Sequence, residues 1–214
     1  MALPATDSFT DSDYTLLENH GSSWSLGTAG LAIYSNACYP YVSTPSCAYW
    51  NADSFDANQS SQVTIAAISA FHGVGPAVHV QNAAGSNFYC YYGETTQSQI
   101  AKCVSGTLTT LSASPQAAFA ATDVVRLDVT VSGGVATLKA YINDVLQDTV
   151  TDSTYTSGSA GVMGQNDSGS SSRMDDWVGD NLGGATGRIM GSLAGEGGLA
   201  GAGGLAGRGG GLAG

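Results

Sequence analysis

The chain has 214 residues, 43% of them apolar and 11% charged, with a formal net charge of −11 at pH 7. That apolar content can build a packed core, which excludes disorder throughout. Six basic residues stand against seventeen acidic ones, and Lys102 and Lys139 are the only lysines. Nucleic acid is therefore not expected as a partner, nor an anionic membrane surface, since both call for clustered Lys and Arg. No apolar run approaches the roughly eighteen residues of a membrane span. The opening Met1-Ala2-Leu3-Pro4-Ala5-Thr6-Asp7 is neither basic nor hydrophobic, so no secretion signal is expected there.

In chain order, residues 62–68, 77–81, 87–92 and 99–104 read as short strands. Leu127, Val129 and Val131 then alternate with Arg126, Asp128 and Thr130, the period of two that marks a strand with one buried face. Gly133-Gly134 turns the chain into its partner at 135–142, Asn143-Asp144 turns it again into 145–150, and 159–163 is a further strand. No stretch sustains helical spacing for three turns. The expectation is an all-β antiparallel sandwich. Half of the thirty glycines fall in the last 32 residues, so the chain divides into a body, 1–182, and a tail, 183–214. The body carries sixteen of the acids and four of the bases, so the acidity belongs to it.

Several fragments carry a family resemblance. Asp7-Ser8-Phe9-Thr10, Trp24, Ala48-Tyr49-Trp50-Asn51-Ala52-Asp53-Ser54-Phe55 and Asn58-Gln59-Ser60-Ser61-Gln62-Val63 resemble the first half of a laminin G-like, concanavalin A-like jelly roll. Gly75-Pro76-Ala77-Val78, Asp123-Val124-Val125-Arg126-Leu127, Ala140-Tyr141-Ile142-Asn143, Tyr155-Thr156-Ser157-Gly158 and Asp175-Asp176-Trp177-Val178-Gly179 follow in that family's order. The resemblance implies an antiparallel jelly-roll sandwich over roughly residues 7–182. Domains of this type occur in extracellular lectins, glycan-active enzymes and bacteriophage virion proteins, so fold alone does not decide function.

Four cysteines allow three pairings. The local one, Cys38 with Cys47 across a loop and Cys90 with Cys103 across a hairpin, is expected as two disulfides. A four-thiolate zinc site fits the spacing poorly, and buried reduced thiols are the plain alternative. Tyr39, Tyr41, Tyr49 and Trp50 cluster around the first pair and are candidate glycan contacts, with core packing as the competing role. Of three glutamates, Glu18, Glu94 and Glu196, none stands in the paired arrangement that glycoside hydrolysis needs. His20, His72 and His79 lack partners at catalytic or metal-ligating spacing, and no serine sits in a nucleophile elbow. No catalytic residue, cofactor or metal is expected; Asp53 and Asp56 are the only oxygens considered for calcium, and their spacing does not single them out.

The tail repeats Gly-Gly-Leu-Ala-Gly with period six. Gly195, Gly198, Gly201, Gly204, Gly207 and Gly210 recur at every third position, and Leu193, Leu199 and Leu205 lie six apart. A threefold extended helix would put those glycines on one edge for close chain packing, which predicts an extended polyglycine-type assembly segment and favours a homotrimer. Such endings resemble those of phage structural proteins. The expected function is thus a non-enzymatic virion protein, a capsid decoration, fibre or tail-associated component, displaying a lectin-like domain. Its expected partners are other virion proteins and host-surface glycans. The alternative is a secreted carbohydrate-binding module, and behind it a glycan-cleaving enzyme.

Overall fold

The computed structural model describes residues 3–70, 73–81, 86–165 and 171–183. These belong to one unit, Met1–Gly184. The assembly positions Leu193, Gly195, Gly198, Leu199, Gly201, Gly204, Leu205, Gly207 and Gly210 lie outside the described residues, as does His72. The described strands are β1 (Ala5–Asp7), β2 (Trp24–Thr28), β3 (Leu31–Ile33), β4 (Cys38–Pro40), β5 (Ser46–Trp50), β6 (Gln59–Ala67), β7 (Val74–Val80) and β8 (Phe88–Gly93). They continue with β9 (Ser98–Val104), β10 (Thr107–Thr110), β11 (Val124–Ser132), β12 (Val135–Ile142), β13 (Val145–Asp152), β14 (Ser159–Gly164) and β15 (Arg173–Asn181). A single 3-10 turn at Leu17–Asn19 is the only helical element among the described residues, and none is long and apolar enough to cross a membrane.

Two antiparallel sheets result. One runs β13-β12-β11-β6-β15-β4-β3 with β1 added to β15, and the other runs β10-β9-β8-β7-β14-β5-β2. Neighbours far apart in sequence, such as β6 with β15 and β14 with β5, are the crossovers of a jelly roll. The turns follow from local chemistry. Gly133-Gly134 and Asn143-Asp144 both take positive φ and close two-residue hairpins, pairing Ser132 with Val135 and Ile142 with Val145, as the sequence predicts. Ser35-Asn36 and Ser105-Gly106 close two more hairpins the same way.

Between the sheets, Val125, Leu127 and Val129 of β11 and Ala136, Leu138 and Ala140 of β12 meet Val74, Val78, Tyr89, Tyr91, Ile100 and Val162 of the other sheet. At one end, Trp24 and Trp50 of the seven-stranded sheet close on Trp177 of the eight-stranded one, with ring centroids 4.8–5.4 Å apart. Each indole N–H is satisfied: Trp24 donates to Asp7 (2.7 Å), Trp50 to Asp53 (2.9 Å) and Trp177 to Ser61 (2.9 Å). Trp50 is therefore core, as the competing reading of that residue has it, and not a glycan contact.

The outer face of the seven-stranded sheet carries a second buried apolar cluster of Cys47, Ala77, Val80, Phe88, Cys90, Ala101, Cys103 and Met163, with Tyr49, Tyr92 and Leu108 packed against it. This arrangement corrects the expected disulfides: all four cysteines are buried free thiols. Cys38 packs into the core between the sheets, whereas Cys47 belongs to the outer cluster, so the two thiols sit in different layers. Cys90 lies opposite Ala101 and Cys103 opposite Phe88. The second pair are thus diagonal neighbours, a placement that separates positions by about 7–8 Å, whereas a bridge needs Cβ atoms about 4 Å apart. Burial pushes the Cys47 thiol up to about 12 and that of Cys103 to about 11, so neither is a ready nucleophile.

Candidate saccharide-binding site

The histidines are read differently once the loops are in place. His20 faces two carboxylates, Asp7 at 3.0 Å from Nε2 and Asp11 at 3.0 Å from Nδ1, although 13 and 9 residues separate them in sequence. Burial works against its charge, but the hydrogen bonds to Asp11 and Asp7 outweigh burial and raise its pKa above the ordinary 6.5. Only an imidazolium can donate from both nitrogens, so below that raised pKa the network is an ion triad with both ring nitrogens engaged. A group whose folded pKa is raised contributes stability fully below its unfolded pKa and loses that contribution as pH rises through the folded value. The wild type is therefore expected to lose melting temperature relative to His20→Gln as pH rises above about 6.5, the unfolded value, and through the raised folded value. Parallel curves for the two proteins would refute this linkage.

His79 is fully buried, with Nε2 2.9 Å from the Ala57 carbonyl and Nδ1 3.2 Å from that of Tyr155. Its role is to tie β7 to two loops. Asp176 lies in a bulge of β15 between Asp175 and Val178 and takes positive φ, and burial together with the Asp176 and Asp7 charges raises the Asp175 pKa. No group of three or more metal-ligating side chains is present among the described residues.

Tyr92 builds the site. Its neighbour Tyr91 points into the core, so the alternation of β8 turns Tyr92 outward. It faces Gln99 across the β8–β9 pair, and the Gln99 amide donates to its hydroxyl. Gln99 Oε1 in turn accepts from Thr110 (3.1 Å). The β8–β9 turn contributes Glu94 and Gln97, with Thr96 donating to the Glu94 carboxylate (3.1 Å). Gln165 enters from the end of β14, its N–H bonded to the Gly73 carbonyl (2.8 Å). Gly73 must be glycine, because a methyl there would stand 2.6 Å from the Tyr92 ring. These residues and Gly93 enclose a groove of about 140 Å3, well below the roughly 300–1,000 Å3 of sites for drug-sized ligands. One small ring fits such a volume, offered an aromatic surface, three primary amides and one carboxylate. A larger, more open depression of about 570 Å3 lies along Thr6, Asp7, Ser8, Asp176, Trp177 and Val178. It is the weaker candidate, since its one aromatic, Trp177, is fully buried and offers no ring face.

The expected glycan contacts are dispersed. Trp50 is core, and Tyr49 packs on the outer cluster of the seven-stranded sheet. Tyr39 and Tyr41 instead join Tyr14 and Tyr34 at the β3–β4 edge, with successive centroids 5.5, 6.1 and 6.5 Å apart. Tyr92, Gln97, Gln99 and Gln165 escape a sequence reading because only strand pairing brings them together. The aromatic-amide composition of 87–99 was the available signal.

No family model matches the sequence, and no curated protein does. Among solved structures, the chain is similar to the carbohydrate-binding module CBM66 from Bacillus subtilis, 15% identical, over 74% of this chain and 92% of that one, with a TM-score of 0.50. The body is an antiparallel jelly-roll sandwich. It is also similar to the GH43 protein BlXynB (K247S mutant) from Bacillus licheniformis, 10% identical over 83% of this chain, with a TM-score of 0.51. It spans only 39% of that enzyme's length. A legume lectin-like domain from Entamoeba histolytica is 12% identical over 82% of this chain and 100% of its own, at a TM-score of 0.49. At these identities the likeness to the two Bacillus proteins is one of fold, and with the sheet order it bears out the jelly-roll architecture expected from the sequence.

Proposed function

We propose that this protein is a saccharide-binding module that acts by holding its ligand and catalyses no reaction. The observation that carries this reading is the Tyr92 groove on a lectin-like sandwich: an outward aromatic ring ringed by the amides of Gln97, Gln99 and Gln165. Aromatic faces take the apolar side of a sugar ring, while amides both donate to and accept from its hydroxyls. Among the described residues no Lys or Arg lines the groove and Glu94 does, which favours an uncharged ligand. Glycoside hydrolysis needs two carboxyl groups across the scissile bond, and among the described residues Glu94 is the one carboxylate lining this groove. The carbohydrate-binding neighbour of the same fold supports the module reading, stated above as the alternative, over a virion component.

The test is native-gel retardation by soluble neutral polysaccharides, a glucan, a mannan and a galactan, against an anionic polygalacturonate. Retardation is expected with at least one neutral polymer and none with the anionic one. Tyr92→Ala should weaken it about tenfold, the scale of one lost aromatic contact with its hydroxyl. Equal retardation of wild type and variant, or none by any polymer, would refute the assignment.

A further inference from the structure

We propose that the four tyrosines at the β3–β4 edge form a second saccharide contact, on the other sheet from the Tyr92 groove, so that one molecule links two glycan chains. The class of ligand rests on the saccharide-binding reading above; the surface is separate. Tyr39 lies between Cys38 and Pro40 on β4, and since Cys38 packs inward, the alternation turns Tyr39 to the outer face of the eight-stranded sheet. Tyr34 precedes the Ser35-Asn36 turn, and Tyr41 follows β4. Tyr14 arrives from a distant loop that is pinned twice: its N–H donates to the Ile33 carbonyl (2.7 Å), and the Asp13 carboxylate accepts from the Ser35 N–H (2.7 Å).

Tyr14 is held at φ +69°, the left-handed region that a bulky side chain rarely adopts, and its ring is 67% exposed. Such a conformation costs about 1 kcal/mol or more. Burial of the ring does not offset it. What the conformation achieves is to set the Tyr14 ring beside Tyr34, where it extends the row that runs through the nearly buried Tyr39 to the 40% exposed Tyr41. The Arg173 guanidinium stacks over Tyr34, 5.6 Å from its centroid, and fixes the row from β15.

A saccharide is favoured over a protein partner by area and by the rim. The exposed parts of Tyr14 and Tyr41 come to about 200 Å2, taking 150–250 Å2 per aromatic side chain, against the roughly 800 Å2 that each partner contributes to a stable protein interface. The exposed chain neighbours of these rings are Ser12, Asp13, Ser35, Asn36, Ser43 and Thr44, a mostly polar rim in which the half-buried Val42 is the apolar member. Successive rings are inclined by 44°, 67° and 57°, so Tyr14 and Tyr41 present separate short stacking faces suited to individual sugar rings.

Two sites on opposite sheets make a soluble multivalent polymer into a network. The experiment mixes the full chain with the same glucan, mannan and galactan and follows both turbidity and gel retardation. Wild type is expected to retard and to precipitate a polymer. The double variant Tyr14→Ala with Tyr41→Ala should lose the precipitation while keeping the retardation that depends on Tyr92. Tyr92→Ala should also lose the precipitation, and the retardation it keeps should disappear when Tyr14→Ala and Tyr41→Ala are added. If the double variant melts at a lower temperature than wild type, Tyr41→Ala alone is used, with a severalfold loss of turbidity expected. Unchanged precipitation after removal of the exposed rings overturns the second contact and leaves the Tyr92 site standing. Absence of any retardation of the wild type overturns both. A mass that rises with protein concentration in light scattering, and is lost in the double variant, shows a self-association surface and overturns the saccharide assignment of the tyrosines.

Discussion

Trp177→Ala is expected to lower the stability of the body by about 3–5 kcal/mol, enough to leave a marginal domain largely unfolded. The ring is fully buried and bridges the two sheets by contacting Trp24 at 4.8 Å and Trp50 at 5.3 Å. It lies so close over Gly179 that a methyl on that residue would stand 2.6 Å from it. Its N–H also donates to Ser61 Oγ, which itself donates to the Gly161 carbonyl of the opposite sheet (2.6 Å). Truncation therefore opens a cavity and removes one member of a buried polar chain. Urea unfolding followed by far-ultraviolet circular dichroism measures the loss, and Trp177→Phe should recover part of it by refilling the space. A midpoint shift equivalent to less than about 1 kcal/mol would mean that the junction repacks, contrary to this account.

Asp152→Ala is the second large effect expected, about 3 kcal/mol at neutral pH. Asp152 ends β13 in one sheet, and its carboxylate accepts from Lys102 Nζ on β9 (2.7 Å) and from the Tyr89 hydroxyl on β8 (2.7 Å) in the other. The Thr154 N–H donates to it as well (2.7 Å). Burial opposes its ionisation, but the Lys102 ammonium and the Thr154 and Tyr89 donors outweigh burial and hold it well below the usual carboxylate range. A depressed folded pKa contributes stability above the unfolded value of 3.8, and that contribution is lost as pH falls through the folded value. The gap between wild type and variant should thus be full at about pH 7 and shrink towards pH 2. A gap independent of pH would remove the ion pair from the explanation.

What the sequence disclosed, and what it hid, follows from burial geometry. β11 and β12 were legible because one face of each is wet and the other dry, so their residues alternate, whereas β13, which buries no residue, was announced by the Asn143-Asp144 turn. β7 is buried on both faces, so Val74-Gly75-Pro76-Ala77-Val78-His79-Val80 shows no alternation and only its second half was read as a strand. β3 and β4, three fully buried residues each, are too short to show a period. The cysteine pairing failed on register: a two-residue offset between Cys90 and Cys103 is invisible until Cys90 is seen opposite Ala101. The candidate site was legible only in part. Tyr39 and Tyr41 stand in one hairpin arm and could be noticed, whereas Tyr14, Gln165 and the acids around His20 reach their neighbours through crossovers that local patterns do not encode.

The three-indole junction also has a spectroscopic consequence. Trp24, Trp50 and Trp177 are all the tryptophans of the chain, and they sit within 5.4 Å of one another, so their excited states couple and their emission reports a single locus. Unfolding will appear as one red shift of emission together with loss of the indole exciton couplet in the far-ultraviolet circular dichroism. Ligand occupancy will not, because both proposed contact surfaces are built from tyrosine. A titration followed at tryptophan wavelengths would read as absence of binding in a protein whose tyrosines were saturated.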